Sequence, residues 1–437
     1  MAANSHPSNP LSGSSAADQV ENQQYYHGLL PREDVKAMLQ KEGDFLLRSS
    51  EPKKGEPRTI ILSVAYNMKL EEEKQIKHLP LNPNPNRQYS LGKYTYESIP
   101  KMIEYHVDSK DSIRDDIYIK HAINRQSWEL SHNSIEIQKK LGEGAFGEVS
   151  MGLYKMRNGR SVKVAVKQAK LEKATKEQIK EFMGEARVMR AFFHPNVVRF
   201  YGVAAGQEPL YMVMELASNG ALDSYLSKNT DIPIETKNQM ILQAAWGLDY
   251  VHKKNVLHRD IASRNCLYGD GQVKISDFGL SRQGPTYQMD PSRRVPIRWL
   301  AIETLRTQMY SFKTDVWSYG IMCWEIYNNG SEPYPGMTVA EVNQGVREGY
   351  RMELPPTVQP EISQLIKAKC WAENQNDRYT MPEICTNLER ILKIHRPDFA
   401  AHENQQKAEL AGPGQMTKKG KKKGKAPKGM QKKDRDD

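Results

Sequence analysis

Three features that would direct a chain to or through a membrane are missing from this sequence. No run of about 18 apolar residues is present, so we expect no transmembrane helix. The N-terminal stretch MAANSHPSNPLSGSSAADQ contains no apolar segment of the kind that secretory signals need. Position 2 is Ala2 and not the glycine that N-myristoylation requires, so we expect a cytoplasmic protein.

Cysteine is also scarce. The 437 residues contain four cysteines, which show neither CxxC pairing nor regular spacing: Cys266, Cys323, Cys370 and Cys385. We interpret them as reduced thiols of an intracellular protein.

Acidic residues are outnumbered, but the surplus positive charge is concentrated in one place. The net charge is +10, and residues 412–437 supply +7 of it through nine Lys, one Arg and three Asp. The rest of the chain is close to balanced, so we expect no specific nucleic-acid partner. Three roles stay open for the basic tail: weak contact with anionic membranes at the plasma membrane, a nuclear-import or nucleic-acid contact, or solubility alone.

Composition and pattern divide the chain into two folded units and two tails. Residues 24–122 alternate strand-like and helix-like segments, and residues 123–134 are interpreted as a linker. Residues 135–395 are strand-rich first and helix-rich later, which predicts a two-lobed α+β domain. Residues 1–23 and 396–437 lack apolar periodicity, and we expect both to be disordered.

A glycine-rich stretch, LGEGAFGEV, opens the second unit. It places Gly142, Gly144 and Gly147 between two strand-like segments. Glycines let the backbone approach phosphates closely, so that N–H groups can cradle them, and Val149 would then cover a base. An ordinary glycine-rich hairpin is the alternative interpretation.

The next two elements favour the nucleotide interpretation. In VKVAVKQA, Ala165 and Lys167 fall on one face of a strand, which would bring Ala165 to a base and Lys167 to its phosphates. The alternative is an edge strand with solvated lysines. In the following helix Glu185 borders the apolar stripe, where a carboxylate is costly unless it is paired, and Lys167 is its natural partner. A surface glutamate is the alternative for Glu185.

The stretch HRDIASRN is unusually dense in charge and is followed by DFG. Asn265 and Asp277, twelve residues apart, offer an amide oxygen and a carboxylate, which suit Mg²⁺ carrying a nucleotide. Asp260 is then free to orient an attacking hydroxyl and accept its proton.

In this order the glycine loop, VAVK, the helix glutamate, HRD…N and DFG resemble the protein-kinase signature, over about residues 135–395. The resemblance implies a bilobal kinase fold that uses ATP with Mg²⁺ or, alternatively, Mn²⁺. It also implies a catalytic loop that acts through Asp260 and Arg264. It also implies an ATP site formed by Leu141, Gly142, Gly144, Gly147, Val149, Ala165, Lys167, Glu185, Glu215 and Ala217, with Met214 at the back of the pocket.

The same resemblance implies structural roles for three residues. Asp315 would brace the catalytic loop, and Arg378 would pair with Glu303, which closes the activation segment. The usual A-P-E motif reads Ala301-Ile302-Glu303 here, so we expect a loosened turn but an active enzyme.

Two local patterns favour tyrosine as the acceptor. Many serine/threonine kinases carry a lysine two residues after the catalytic aspartate, whereas this chain has Ala262 there and Arg264 two positions later. That arrangement resembles the tyrosine-kinase pattern HRDLAARN. VPIRWLA resembles the tyrosine-kinase substrate loop, in which Pro296 would support the phenol ring and Trp299 would pack beneath it. A serine/threonine or dual-specificity kinase is the disfavoured alternative.

The activation segment contains one central tyrosine, Tyr287. A phosphate there adds about −1.5 to −2 charge, and Arg259 with Arg282 or Arg293 would receive it. We predict that autophosphorylation of Tyr287 orders the loop and raises activity. An exposed loop tyrosine without this role is the alternative.

The N-terminal unit contains an arginine in an otherwise apolar strand, GDFLLRSS, where an arginine is costly unless it binds an anion. The stretch resembles the start of a Src-homology 2 (SH2) domain, which implies an antiparallel sheet flanked by two helices. The residues implied to bind phosphotyrosine are Arg32, Arg48, Ser50 and His78.

An SH2 domain placed directly before a tyrosine kinase resembles the Fes/Fer group of cytoplasmic kinases. The N-terminal membrane-curving (F-BAR) region of that group has no counterpart in these 437 residues, so we expect no membrane targeting by that route. The resemblance implies that tyrosine-phosphorylated proteins bind the SH2 domain, that proteins are the substrates, and that the SH2 domain stabilises the active kinase. We expect a monomer. A phosphotyrosine-binding adaptor with an inactive kinase fold is the main alternative, and Ile302 alone favours it.

Overall fold

The computed structural model of the chain describes residues 19–51, 55–91, 93–144, 147–169, 174–290 and 295–411. The N-terminal unit is a four-stranded sheet in the order β3-β2-β1-β6, with a separate β4-β5 hairpin and two helices. β1, β2 and β3 are antiparallel, and β6 runs parallel to β1. Its elements are α1 (Arg32–Met38), β1 (Asp44–Ser50), β2 (Thr59–Ala65), β3 (Ile76–Leu81), β4 (Tyr89–Leu91), β5 (Tyr94–Tyr96), α2 (Ile99–Ser109) and β6 (His121–Ala122).

The alternation of β1 explains why this sheet has a helix on each face. Phe45 and Leu47 pack with Met102 of α2 in one apolar cluster. Leu46 points the other way and joins Val35 of α1 in the larger cluster. β1, β2 and β3 therefore form the expected antiparallel sheet between two helices, and the short parallel strand β6 is an addition at its edge.

The kinase unit begins with a five-stranded sheet in the order β10-β11-β9-β8-β7 and one helix. The helix starts at a capping box, in which the Thr175 side chain and that of Gln178 each accept a backbone N–H of the other residue. The elements of this lobe are β7 (Ile135–Gly144), β8 (Gly147–Lys155), β9 (Ser161–Ala169), α3 (Lys176–Met189), β10 (Phe200–Ala204) and β11 (Tyr211–Glu215).

The second lobe is mainly helical and is built around α7. Every residue from Thr314 to Tyr327 is buried, which fits a helix enclosed by its neighbours on all sides. The elements of this lobe are α4 (Leu222–Lys228), α5 (Ile234–Lys253), β12 (Val256–Leu257), β13 (Cys266–Gly269), β14 (Gln272–Ile275), β15 (Arg282–Gln283), β16 (Thr286–Gln288), α6 (Ile302–Thr307), β17 (Met309–Ser311), α7 (Phe312–Tyr327), α8 (Val339–Arg347), α9 (Pro360–Leu365), α10 (Met381–Leu392) and α11 (Phe399–Ala411).

The two units are in direct contact. The Leu29 N–H donates to the carbonyl of Ala205 at 2.8 Å, and buried Asp34 of α1 accepts from Arg187 (2.8 Å) and Arg190 (3.2 Å) at the end of α3. Apolar residues of both units also belong to one buried cluster. The N-terminal unit is therefore fixed against the helix that carries Glu185.

The segment 123–134 is packed rather than loose. The Leu130 N–H donates to the carbonyl of Val203 (2.9 Å), and the Val203 N–H donates to that of Trp128 (2.8 Å). Glu129 pairs with buried His27 at 2.8 Å. The predicted linker thus holds the SH2 unit to β10.

The expectation of disorder is wrong for parts of both tails. Residues 399–411 form α11, where Phe399 packs on His194 with ring centroids 4.2 Å apart and Glu409 pairs with Arg199 at 2.9 Å. At the other end a 3-10 turn, Val20–Asn22, packs on the SH2 core. The Phe399 ring and two ion pairs, Glu409 with Arg199 and Glu403 with Lys254, stabilise α11 without the apolar stripe that a sequence period reveals. The remaining tail residues, 1–18 and 412–437, lie outside the described part of the chain.

Two further findings bear on the composition. All four cysteines are free and buried, and burial raises the pKa of the thiol at each of them. No helix among the described residues is long and apolar enough to cross a membrane.

Candidate active site

The lysine and the glutamate expected at the nucleotide phosphates form an ion pair. Lys167 Nζ lies 2.9 Å and 2.7 Å from the two carboxylate oxygens of Glu185. The side chains are 12% and 5% exposed. Burial raises the pKa of Glu185, and Lys167 opposes that shift. The surface alternative for Glu185 is therefore wrong, and α3 is docked against the sheet.

The strand registers bring the expected base-contacting residues to one face. Val149 lies opposite Lys167, and Ala165 lies opposite both Met151 and Met214. Directly paired residues share a face of the sheet, so Val149, Ala165, Lys167 and Met214 line the same side. That side forms a wall suited to a nucleotide base and phosphates.

The glycine-rich turn closes this wall. β7 and β8 remain paired as far as Gly144 opposite Gly147, with Gly142 beside Val149 and Leu141 exposed. Gly147 has a φ of +144°, which side chains rarely adopt. The tip, residues 145 and 146, lies outside the described residues.

The connection between the lobes follows β11. Glu215 ends that strand, and its carboxylate pairs with Lys274 at 3.0 Å, so the side chain ties the two lobes together. The main chain then continues through Ala217, whose carbonyl accepts from the Gly220 N–H at 3.3 Å. Residues 215–217 therefore form the connection between the lobes, where the family resemblance implies that the backbone meets a base.

Asp315 fixes the backbone of the catalytic loop through hydrogen bonds. Its carboxylate accepts the N–H groups of His258 and Arg259, both at 2.9 Å, and lies 2.9 Å from Nε2 of His252. Burial alone would raise the pKa of Asp315, but these hydrogen bonds and the nearby histidines lower it. A charged, fully bonded carboxylate therefore fixes the loop backbone next to Asp260.

Asp260 and Arg264 contact each other within the catalytic loop. Arg264 Nη2 donates to Asp260 Oδ1 at 2.5 Å, and the guanidinium lies 4.1 Å from the ring centroid of Trp299. This arrangement joins the catalytic carboxylate to the predicted substrate loop. Within the described residues no hydrogen bond involves Asp260 Oδ2, which can face an incoming hydroxyl.

Asn265 and Asp277 fit a divalent metal carried by a nucleotide. The Asn265 Nδ2 donates to the carbonyl of Asp260 (2.8 Å), so the amide oxygen is left for a ligand. Ser276 donates from both its N–H and its hydroxyl to the Asn265 carbonyl (2.9 Å each), which brings exposed Asp277 next to Asn265. Two protein oxygen ligands are fewer than the six that Mg²⁺ needs, but Mg²⁺ usually takes its remaining ligands from phosphates and water.

The residue after Asp277 is buried. Phe278 packs between Phe192 and His258, with ring centroids 4.9 Å and 5.0 Å away. Asp277 itself has a φ of +57°. The sharp turn puts the aromatic ring into the core, and the carboxylate stays exposed.

Tyr287 lies on β16, paired with Tyr310 of β17. The guanidinium of Arg259 lies 4.1 Å from the Tyr287 ring centroid, and that of Arg282 lies 5.4 Å from it. Among the described residues Arg259 Nε is buried without a hydrogen-bond partner. Two of the three arginines expected near a phosphorylated Tyr287 are therefore already there; Arg293 lies outside the described residues.

The end of the activation segment is firmly bonded. Arg378 is buried and donates to both carboxylate oxygens of Glu303, at 2.6 Å and 2.9 Å. Ile302 is the first residue of α6, and its side chain lies in the core. A first helical position needs no N–H partner, so isoleucine replaces proline without loss there. The loosened turn that we expected is not observed.

One buried acid was missed by the sequence reasoning. Glu325 of α7 accepts the N–H (3.0 Å) and hydroxyl (2.7 Å) of Ser263 and the Trp299 Nε1–H (3.0 Å). Burial raises the pKa of Glu325, and these donors oppose the shift. The sequence signal was an acid within the apolar stretch that follows Asp315 in the same helix.

In the SH2 unit Arg48 is buried in mid-strand. It donates from Nε to Ser63 Oγ (3.2 Å) and from Nη1 to the carbonyl of Leu30 (3.3 Å). Burial, with Arg32 nearby, lowers the pKa of Arg48 to about 10, so the side chain remains charged at neutral pH. Within the described residues it has no carboxylate at ion-pair distance, as an anion-binding arginine requires.

The other expected phosphotyrosine residues divide into two groups. Arg32 and Ser50 line the same cleft as Arg48. His78 lies behind it, with Nδ1 2.9 Å from Ser63 Oγ, and burial together with Arg48 lowers the pKa of His78 to about 3. Neutral His78 therefore accepts a hydrogen bond from the Ser63 hydroxyl, and the same hydroxyl oxygen accepts one from Arg48 Nε. Through Ser63, His78 helps to position the Arg48 side chain.

Comparison with known proteins agrees with this geometry. The family model described as protein tyrosine and serine/threonine kinase matches residues 135–388, and the SH2 domain model matches residues 25–106. Fer-related kinase 1 of Caenorhabditis elegans is 37% identical over 385 residues, which cover 87% of this chain and 96% of that protein.

Two other relatives are similar over shorter parts of their length. Tyrosine-protein kinase Fer of Homo sapiens is 34% identical over 401 residues, 89% of this chain and 47% of that protein. Spermatocyte protein spe-8 of Caenorhabditis elegans is 36% identical over 321 residues, 72% of this chain and 61% of that protein. This chain thus spans about half the length of human Fer. With its SH2 domain and complete set of kinase motifs, it belongs to the Fer-related tyrosine-protein kinases.

Proposed function

We propose that this chain is a catalytically active non-receptor protein-tyrosine kinase, which transfers the γ-phosphate of ATP to tyrosine hydroxyls of proteins. The observation that carries this proposal is the buried Lys167–Glu185 pair, formed at 2.7 Å beside intact Asp260, Asn265 and Asp277. An inactive adaptor would not need a buried ion pair at this position, because well-packed apolar residues would be as stable or more stable there.

Each residue in the cleft has a distinct task in phosphoryl transfer, which depends on positioning and charge neutralisation. Lys167, oriented by Glu185, binds the α- and β-phosphates. Asn265 and Asp277 would hold Mg²⁺, which would supply positive charge to neutralise the phosphates. Asp260 orients the substrate hydroxyl and accepts its proton.

Selectivity for tyrosine follows from the distance between the catalytic carboxylate and the substrate loop. Arg264 spans that distance, bonded to Asp260 and stacked on Trp299. A phenol ring is long enough to reach Asp260 over this platform, whereas a serine hydroxyl lies close to its own backbone. The position two residues after Asp260 is the buried Ala262, where many serine/threonine kinases carry a lysine.

The SH2 domain binds tyrosine-phosphorylated proteins through Arg48, with Arg32 and Ser50 at the rim of its cleft. This binding would recruit primed substrates and favour the docked α3. We further propose that the protein is a cytoplasmic monomer and that its basic tail, residues 412–437, provides at most weak contact with anionic membranes.

A peptide series tests the proposed activity. Three peptides identical except for Tyr, Ser or Thr at one position are incubated with purified protein and MgATP. Phosphate should enter the Tyr peptide alone, and Asp260→Asn should abolish the transfer. Transfer to Ser at a similar rate would refute tyrosine selectivity, and no transfer to any peptide would favour the adaptor.

A further inference from the structure

The cleft that contains Arg48 is not bounded by the SH2 unit alone. It has a volume of about 250 Å³, and its walls come from both units. The SH2 side contributes Arg32, Arg48 and Ser50, and the kinase side contributes Lys176, Ile179 and Lys180 from the first two turns of α3. The same helix carries Glu185.

Polar contacts fix α3 at this position on both sides of the cleft. Just before the helix, Arg58 of the SH2 unit donates to the carbonyl of Ala174 (2.5 Å) and pairs with Glu208 (2.6 Å). Lys180 pairs with Glu33 at 2.7 Å. The Asp34 contacts described above hold the other end. The kinase wall is therefore part of the folded structure, with supports before and after Lys176.

The charges that line the cleft leave an excess of positive charge. Five cations (Arg32, Arg48, Arg58, Lys176 and Lys180) face two acids (Glu33 and Glu51). Arg58 and Lys180 already have carboxylate partners. Lys176 is exposed and, within the part of the chain that the structure describes, has no ion-pair partner. Three cations of the cleft thus have no acid paired with them among the described residues: Arg32 and Arg48 of the SH2 unit, and Lys176 of the kinase unit.

We propose that Lys176 of the kinase domain is a phosphate-binding residue of the phosphotyrosine site. This inference rests on the proposed binding of phosphotyrosine by the SH2 domain. A phosphotyrosine dianion bound to Arg48 and Ser50 would receive a third contact from α3 across the cleft. The site is complete only while α3 is docked, so a bound phosphate joins the SH2 unit directly to the helix that positions Lys167.

Titration of the full-length protein with phenyl phosphate tests this proposal, because that probe has the ring and phosphate but no flanking residues. Lys176→Ala should weaken binding by about fivefold, as expected for one ion pair near the surface, and Lys176→Glu should weaken it further. Lys155→Ala, at an exposed lysine that does not line the cleft, should have no effect. Without ligand, the unfolding temperature of Lys176→Ala should match wild type.

The controls separate this inference from the function on which it rests. Arg48→Lys should weaken phenyl phosphate binding severely, because a lysine cannot replace two guanidinium contacts. If Arg48→Lys weakens binding and Lys176→Glu does not, the kinase contribution is wrong and the SH2 function is retained. If neither weakens binding, the phosphotyrosine site itself is wrong.

A second perturbation acts from a distance. Asp34 does not line the cleft, but Asp34→Ala removes two of the three ion pairs that hold α3 against α1 and leaves only Lys180–Glu33. Binding should weaken by no more than in Lys176→Ala, and the double variant should be no weaker than Lys176→Ala alone. Additive losses would contradict the proposal, because Lys176 reaches the phosphate only from the docked helix.

Discussion

Glu185→Gln isolates the contribution of one charge to nucleotide binding. The carboxylate receives two hydrogen bonds from Lys167 in a nearly dry environment. Glutamine keeps one acceptor and removes the charge. Hydrogen bonds to charged groups contribute about 1.5–3 kcal/mol, so we take the loss as about 2 kcal/mol, which corresponds to about a 30-fold lower kcat/KM for ATP.

The assay is steady-state phosphorylation of a tyrosine peptide at several ATP concentrations. Glu177→Gln is the matched control, because Glu177 is exposed in the first turn of the same helix and its substitution should leave the rate unchanged.

The acid side of the pH profile of kcat/KM gives a second result. Burial raises the pKa of Glu185, so wild type should lose activity as pH falls through a window above the ordinary value of 4.5. A kcat/KM in Glu185→Gln equal to that of wild type would show that the Glu185 charge does not orient Lys167 for ATP.

Three further perturbations have defined outcomes. Tyr287→Phe should remove the rise in activity that follows preincubation with MgATP, because Arg259 and Arg282 then have no phosphate to bind; a rate that still rises would contradict this. Burial lowers the pKa of His194 from 6.5 to about 3, so between these two pH values only the unfolded chain binds a proton at this residue. The free energy of unfolding should therefore be lower by about 1.4 kcal/mol at about pH 5.5 than well above pH 6.5. In His194→Asn, thermal unfolding should show a smaller loss of stability over the same pH range, because asparagine does not bind that proton. Phe399→Ala should lower the free energy of unfolding by about 2 kcal/mol in chemical denaturation, because the half-buried ring anchors α11; an unchanged midpoint would show that α11 contributes no stability.

The kinase motifs could be predicted because their chemistry limits which residues and spacings are usable. A strand that presents Lys167 and a helix that buries Glu185 are both readable from local periodicity. Their contact then follows from the cost of leaving either charge unpaired. The Glu303–Arg378 pair and the Asp315 contacts depend on distant segments, and only the family resemblance indicated them.

Contacts between the units could not be predicted in this way. Asp34 and Arg187 are 153 residues apart, and nothing in either local pattern identifies a partner. A periodic pattern shows which face of a helix is apolar but not what covers that face. For the same reason the kinase wall of the phosphotyrosine cleft is visible only in three dimensions.

The C-terminal helix and Ile302 show two other limits of the sequence. α11 has one aromatic anchor, four alanines and one leucine among polar residues, without a regular apolar stripe, so its pattern resembles that of a disordered tail. Ile302 departs from a motif, but its effect depends on its position at the start of α6, where proline is tolerated rather than required.

Phosphoamino-acid analysis of the autophosphorylated protein is the most direct test of tyrosine-specific kinase activity. Purified protein is incubated with radiolabelled MgATP and hydrolysed, and the labelled residues are separated. We predict phosphotyrosine alone, and no label in Asp260→Asn. Label in phosphoserine or phosphothreonine that disappears in Asp260→Asn would contradict a tyrosine-specific kinase, and an unlabelled wild-type protein would contradict an active one.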